Sequence, residues 1–356
     1  MRTFFRLCFL IHLAVASALA SAQEVLPLPL YTVDLSKLIS RELDINATGT
    51  LTFLTEHTLA VSICRNLRCN LATFDLGGET PRMIAKTNEF HASSALFRAP
   101  EGRVLAGNMQ SEGKMGAVLF DSDLHVPILI PKAVDNRPQF LSTTGETFVK
   151  QNQHVWVAYK MGPPPERIRE GIGAVLSVSN EAVAYLDQGT VHIEGMDGKP
   201  LGMFALKARP TIRFVGHDRL WVESGSEVEI ADFNGKLIQT LEKPDGWGFR
   251  IGQSSDGSRI LYDRYTRHIS LAQKAEEDAV AVVTLGVGVG DEGANAEMVQ
   301  VIDTRSGKKC FEWNSRKNLL VAGQFHADID PSGRLIAIMN RTALNIYRSP
   351  ETCIEK

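Results

Sequence analysis

The 356-residue sequence predicts an all-β fold in which a sheet of four short strands is repeated along the chain. A turn between a first and a second strand recurs at six places, and a turn after a third strand recurs at five. Residues 325–347 show the unit best, because turn residues at 330–333 and 340–341 separate three short strands.

The spacing of these turns indicates a period. Gly198 and Gly235 are 37 residues apart, and Gly102 and Gly145 are 43 apart. A period near 40 with four strands in each copy is the signature of propeller blades. The predicted blades are residues 46–87, 91–134, 137–171, 172–208, 210–244, 247–315 and 318–348. Seven blades fit best, and six or eight stay open because residues 137–171 are poorly patterned.

The last copy has only three strands, and an isolated strand near the start of the chain is predicted to complete it. Residues 26–33 supply that strand, and residues 34–43 are predicted to form a helical turn or two before the first blade. Closing the ring with strands from both ends removes the free edges of a partial ring.

Two stretches resemble a known superfamily. Residues 299–308, followed by Phe311-Glu-Trp313, are similar to the third-to-fourth-strand segment of WD-repeat-like and YVTN-type β-propellers. Residues 328–337 are similar to the first-to-second-strand turn of the same superfamily. No blade has the Gly-His and Trp-Asp pairs of strict WD repeats. The resemblance implies a fold and no particular activity.

The first 22 residues have the pattern of a secretory signal. Arg2 and Arg6 precede the apolar run 7–19, and Ala20-Ser-Ala22 fits a cleavage site. We therefore expect cleavage after Ala22, a single propeller domain over residues 23–356, and a secreted or periplasmic protein. The alternative is an uncleaved anchor. No later run reaches the roughly 18 apolar residues of a membrane helix. A mildly acidic chain without a basic run indicates no nucleic-acid partner.

Four cysteines remain after the signal, an even number that suits an oxidising compartment. Cys64 and Cys69 are placed to close their own loop, which leaves Cys310 and Cys353 to pair. A structural zinc site is disfavoured, because a second close Cys or His pair is missing.

Motifs for chemistry are weak. The chain has no metalloprotease helix motif and no Gly-x-Ser-x-Gly elbow. The glycine-rich run 285–293 lacks the Gly-Lys-Ser/Thr ending of a phosphate loop, and we interpret it as part of an insertion in blade 6. The sequence therefore predicts no catalytic residue, no metal and no cofactor.

A ligand-binding surface is predicted at the mouth of the central channel, where the loops between blades and between second and third strands emerge. The candidates share a basic or aromatic side chain in a predicted loop on that face: Arg65, Arg68, Arg137, Arg169, Arg209, Trp247 and Arg316. Together they would form a cationic mouth for a carboxylate, a phosphate or an acidic peptide. The alternative is that they are solvated loop charges paired with Asp135, Glu170 and Asp245.

The lengths of the turns between second and third strands indicate a second candidate location for a binding surface. Blades 1, 2 and 6 have longer predicted turns, at residues 65–70, 110–115 and 268–297. In a closed ring, blades 6, 7, 1 and 2 are consecutive, so this decoration would cluster on one sector, as in a partner-binding patch.

The function predicted from these observations is a secreted or periplasmic, non-catalytic module that binds a protein or peptide, an anionic one if the cationic mouth forms. The alternative is a propeller-type enzyme, such as a lactonase, a lyase or a glycan-acting hydrolase, with its site at the channel mouth. That enzyme needs acids or histidines converging there. Only Glu89, His91 and Asp135 are candidates.

Overall fold

The computed structural model of the protein describes most of the chain outside its first 26 residues. The described residues are 27–38, 48–65, 68–87, 90–91, 96–111, 114–124, 128–130, 140–142, 144–162, 164–205, 211–224, 227–241, 247–266, 296–314, 325–340, 343–351 and 353. The predicted signal 1–22 and the glycine-rich run 285–293 lie outside them.

The described strands form seven antiparallel sheets. Blade 1 contains β2 (Thr48–Phe53), β3 (Thr58–Arg65), β4 (Arg68–Asp75) and β5 (Arg82–Lys86), with the short β6 (Phe90–His91) beside β4. Blade 2 contains β7 (Leu96–Ala99), β8 (Arg103–Ser111), β9 (Lys114–Phe120) and β10 (Ile128–Ile130). Blade 3 contains β11 (Phe140–Leu141), β12 (Thr147–Asn152), β13 (Val155–Lys160) and β14 (Glu166–Ile172). Blade 4 contains β15 (Ala174–Val178), β16 (Ala182–Asp187), β17 (Thr190–Gly195) and β18 (Pro200–Ala205).

The remaining blades follow the same plan. Blade 5 contains β19 (Thr211–Val215), β20 (Arg219–Ser224), β21 (Glu227–Asp232) and β22 (Leu237–Leu241). Blade 6 contains β23 (Trp247–Gln253), β24 (Arg259–Thr266), β25 (Ala296–Asp303) and β26 (Lys309–Asn314). Blade 7 contains β27 (Phe325–Ile329), β28 (Leu335–Asn340) and β29 (Ala343–Arg348), completed by β1 (Tyr31–Asp34). The prediction of seven blades is confirmed, including the poorly patterned third.

The closure predicted for the last blade is also confirmed. β1 runs antiparallel to β29, with Tyr31 opposite Ile346 and Asp34 opposite Ala343. A 3-10 helical turn, Ser36–Leu38, follows. The carboxylate of Asp34 accepts a hydrogen bond of 2.8 Å from the N–H of Ser36, the first residue of this turn. The turn carries the chain from the outer edge of blade 7 toward blade 1.

Each core lies between neighbouring blades, since a four-stranded sheet has two apolar faces and covers neither by itself. The core between blades 7 and 1 combines Leu344 and Ile346 with Leu51 and Phe53, and the buried Leu35 of the N-terminal segment packs into it. The core between blades 4 and 5 combines strands of those two sheets in the same way, with Ile193 against Phe214. The ring is therefore held by shared cores.

Polar side chains of the inner strands also join neighbouring blades. In blade 1 the N–H of Phe53 donates to a carboxylate oxygen of Asp328 in blade 7 at 2.9 Å. The carbonyl of Phe53 accepts a bond of 2.6 Å from Nε of Arg98 in blade 2. One peptide segment of blade 1 is thus bonded on both sides.

The same arrangement recurs on the other side of the ring. The N–H of Phe214 in blade 5 donates to Oγ of Ser177 in blade 4 at 3.0 Å. Its carbonyl accepts a bond of 3.0 Å from Nε2 of Gln253 in blade 6. Phe53 and Phe214 hold equivalent register positions, because each pairs with the first buried leucine of its second strand. We call these two arrangements the inner-strand clamps.

The predicted disulfide between Cys310 and Cys353 is present. It joins β26 of blade 6 to the chain that leaves β29 of blade 7, and the guanidinium of Arg259 lies beside both sulfurs. Cys69 is disulfide-bonded as well, and Cys64 is directly opposite it in the register of β3 and β4. The Cys64 side chain is outside the described set.

The long loops predicted in blades 1 and 2 are wrong. Strands β3 and β4 continue to Arg65 and Arg68, which are opposite each other, and β8 and β9 continue to Ser111 and Lys114. Charged and polar residues at these positions resemble a loop in the sequence, but they extend the two hairpins. Two of the three long turns predicted for this sector are therefore short. The third, in blade 6, is largely outside the described residues.

We expect Gly145→Ala to destabilise the protein by more than about 3 kcal/mol, because it combines two penalties. Gly145 has a φ of +74°, and an added Cβ would lie 1.7 Å from the carbonyl oxygen of Arg98 in blade 2. Gly189→Ala is the matched control, since Gly189 has a φ of +82° with nothing within 4 Å. It should cost only about 1 kcal/mol. Urea unfolding measures both, and equal losses would mean that Gly145 does not set the spacing of blades 2 and 3.

Candidate functional site

Three of the seven predicted channel-mouth residues lie outside the described set, and only the backbone is described for three others. Arg137, Arg209 and Arg316 are not described. The backbones of Arg65 and Arg68 form the end of the β3–β4 hairpin, and Trp247 is the first residue of β23. Their side chains are not described. The cationic mouth therefore remains a prediction.

Arg169 does not lie on a loop at the mouth. It belongs to β14, the outermost strand of blade 3, and its guanidinium contacts blade 4. Nη1 donates to the carbonyl of Gly195 at 2.8 Å, and Nη2 pairs with the carboxylate of Glu194. Because Arg169 is bonded to an acid of the next blade, it carries little free charge for a ligand.

Aromatic rings surround this ion pair between blades 3 and 4. The guanidinium carbon of Arg169 is 5.5 Å from the ring centroid of the buried Trp156. The Tyr185 ring is 5.6 Å from the Trp156 ring and 5.3 Å from the His192 ring, which it stacks on. The phenol of Tyr185 donates to Oε1 of Glu194 at 2.7 Å. We call Trp156, Arg169, Tyr185, His192 and Glu194 the blade 3–4 cluster.

The ion pair of this cluster joins blade 3 to blade 4, and a hydrogen bond within blade 4 supports it. Burial raises the pKa of Tyr185 to about 12, and the hydrogen bond to Glu194 and its negative charge add to the rise. The phenol therefore stays neutral and keeps donating to Glu194 at physiological pH. The arrangement positions side chains of two blades.

A depression of about 270 Å³ lies next to the cluster, on the outer part of blade 4. Its lining residues come from β17 and β18: His192, Ile193, Glu194, Pro200, Leu201, Gly202 and Met203. Met203 is opposite His192 in the register, so these two side chains share a face of the sheet. We call this feature the blade 4 depression.

The outermost strands of three consecutive blades expose large apolar side chains. Six of them form what we call the outer apolar strip: Ile168 and Ile172 of β14, Leu201 and Met203 of β18, and Leu237 and Ile238 of β22. Their exposed fractions run from 39% for Ile168 to 69% for Ile172. Val155, opposite Ile172, is exposed too. Large exposed apolar groups in one region mark contact surfaces for other molecules.

The sequence contained a signal for the β18 and β22 parts of this strip. β5 and β14 carry several charged residues, whereas β18 and β22 carry none within their bounds. An outermost strand normally carries charges that discourage pairing with other chains. An uncharged fourth strand in a blade therefore indicates a contact surface once the strand order is known.

Within the described part of the chain, no three His, Cys, Asp or Glu side chains are grouped so that they could hold a metal ion.

The helical segments among the described residues are all too short or too polar to cross a membrane.

No family model matches the sequence, and no curated protein matches it. Among solved structures, the chain is similar to Raptor from Chaetomium thermophilum, with 10% identity over 93% of this chain and 29% of that one, at a TM-score of 0.52. It is also similar to a chain of the Mitotic Checkpoint Complex, with 11% identity over 93% and 94% of the two chains and a TM-score of 0.49. The C-terminal WD40 domain of Sif2 matches at 12% identity over 90% and 99%, with a TM-score of 0.47. At these identities, the likeness to Raptor shows the fold alone, and the ring of seven sheets is that of a seven-bladed β-propeller.

We expect Glu194→Gln to lower the pKa of Tyr185 from about 12 toward the ordinary value of about 10, because the substitution removes a negative charge next to the phenol. Burial still acts, so the fall should be partial. Asp187→Asn is the control, since Asp187 contributes least to the shift. Titration by NMR with ring-labelled tyrosine measures the pKa.

The raised pKa of Tyr185 also fixes the direction of a stability effect. A group whose pKa is higher in the folded state stabilises that state below its unfolded pKa, here about 10. This contribution should disappear as the pH rises to about 12. If Glu194→Gln left both the titration and the alkaline stability unchanged, the described bond between Tyr185 and Glu194 would be wrong.

Proposed function

We propose that the protein is a secreted or periplasmic binding module that holds a protein or peptide partner on its propeller surface, with no chemistry of its own. The fold supports a binding role, because a closed propeller is a rigid scaffold that presents surface elements to other molecules. The fold does not choose the partner.

The observation that carries the proposal is the outer apolar strip. Met203 is 59% exposed and Leu237 is 50% exposed, although both belong to regular strands of a well-packed ring. Covering such side chains contributes roughly 25 cal/mol per Å² of apolar surface. A partner that covers the strip would gain this free energy, which the isolated ring leaves unused.

The charges next to the strip favour an apolar partner over a charged one. Arg167 is paired with Glu170, and Lys199 is paired with Asp197. These two pairs largely cancel at the surface, so they give the strip little net field to attract an ion. The cationic mouth would be a separate surface for an anionic partner.

The compartment is inferred from the predicted signal and from the cysteines. A disulfide that joins blades 6 and 7 is supported best by an oxidising environment, outside the cytosol. The rival prediction of an enzyme at the channel mouth depends on Glu89 and Asp135, which are not described, and on His91, which belongs to β6. No observation on the described residues favours the enzyme.

The proposal is tested by isolating the protein with its partners from the native source and identifying the bound proteins. The intact mass of the isolated chain should match that of a chain beginning at Gln23. The identified partner is then titrated against the double variant Met203→Glu/Ile238→Glu, which should weaken binding by about tenfold or more.

The matched control places the same charges on a different outer strand. Met83 and Ile84 of β5 in blade 1 are 48% and 38% exposed, and Met83→Glu/Ile84→Glu should change the affinity by less than about twofold. If both double variants bind the partner as tightly as the unmodified protein, the strip is not the binding surface. A mature chain that retains the signal would refute the proposed compartment.

A further inference from the structure

Strand β18 has one paired edge and one edge without a neighbouring strand. It pairs with β17 and is the last strand in the order of its sheet. Among the described residues, no other strand pairs with it. The outward N–H and C=O groups of such a strand form a row to which another extended chain can hydrogen-bond.

Apart from Pro200, which has no N–H to donate, the residues of β18 do not oppose such pairing. From Pro200 to Ala205 the strand has no charged side chain. By contrast, β14 contains four charged residues and β5 contains two, which would clash with or repel many incoming strands. β22 and the three-residue β10 are also uncharged, so the absence of charge is not sufficient to select β18.

The blade 4 depression lies beside β18. Met203 and Leu201 border it, with exposed fractions of 59% and 44%. Successive residues of an added strand point to opposite faces. One side chain of that strand could therefore enter the depression, whose volume of about 270 Å³ suits a single large apolar side chain.

The charged groups around the depression already have partners. Glu194 is held by Arg169 and by Tyr185, and Lys199 is held by Asp197 at 2.8 Å. A charged peptide would have to compete with these bonds, whereas an uncharged apolar peptide leaves them intact. Charge complementarity therefore selects a neutral, apolar occupant.

We propose that β18 binds an extended, uncharged segment of a partner protein as a fifth strand of blade 4, with one apolar side chain of that segment seated in the blade 4 depression. This inference rests on the proposed binding function and specifies its mode. Backbone hydrogen bonds to β18 provide affinity, and the depression provides the preference for an apolar residue.

The test uses the whole mature chain and a displayed library of random linear peptides of about seven residues. Selected peptides should alternate β-branched or apolar residues with other uncharged ones. For one selected peptide, methylation of single backbone nitrogens should weaken binding about tenfold at every second position and little in between. Equal effects at all positions would overturn strand addition.

Substitutions on the protein locate the binding strand. Met203→Lys should weaken binding of the same peptide by about tenfold. Because Met203 is exposed, the substitution should leave the fold intact. Ile238→Lys on β22 is the matched control, with 48% exposure on another uncharged outer strand, and should have less than about a twofold effect. Loss of binding with Ile238→Lys alone would overturn the assignment to β18.

Sedimentation velocity separates a peptide from a second copy of this chain. We expect the unmodified chain to sediment as a monomer, with Met203→Lys unchanged. A dimer that Met203→Lys converts to a monomer would show that a second copy occupies β18, and the proposal would be wrong. If the partner found under the proposed function needs Ile238 but not Met203, the binding module stands and strand addition at β18 fails.

Discussion

The inner-strand clamps are the interactions on which the closed ring depends. The geometry of a four-stranded sheet does not by itself fix its position against the next sheet. Apolar cores alone tolerate sliding of one face over another. A bond from a side chain of one blade to a backbone group of the next fixes both the distance and the register. Phe53 is held in this way by blades 7 and 2, and Phe214 by blades 4 and 6.

The two clamps differ in charge, and the difference follows their place in the ring. Ser177 and Gln253 do not titrate, whereas Asp328 and Arg98 are ionisable side chains that join blade 1 to blade 7 and to blade 2. Burial raises the pKa of Asp328, and the positive charge of Arg98 opposes that rise. Hydrogen bonds to charged groups contribute about 1.5–3 kcal/mol, more than neutral ones. The charged clamp thus lies where blade 7, which β1 completes, meets blade 1.

The outer part of the ring follows from the inner part. The clamps and the shared cores fix the inner and middle strands, whereas the fourth strands β14, β18 and β22 bury few side chains and are free to differ in composition. β14 uses that freedom for the blade 3–4 cluster, in which Arg169 bridges to Glu194. β18 and β22 use it to expose apolar side chains. The proposed partner surface is therefore located where sequence changes cost the fold least.

Much of the architecture could be predicted because local chemistry specifies it. Glycines such as Gly257 and Gly333, with φ of +65° and +73°, mark turns that only a few residue types tolerate, and their spacing gave the blade count. Arg169 was misplaced because an outer strand rich in Glu and Arg resembles a solvated loop until its partner strand is known. The clamps and the exposure of Leu201 depend on contacts between residues far apart in the chain, and no local pattern encodes them.

Amide hydrogen exchange in the native state measures whether the inner-strand clamps hold the ring. The N–H groups of Phe53 and Phe214 lie on first strands and donate to side chains of other blades. If the clamps hold the ring, both amides should exchange only through global unfolding, with the same free energy as the buried Ile338 of blade 7. If they instead exchange through local opening, with the low free energy expected for outer strands such as β22, the clamps do not close the ring and the account is wrong.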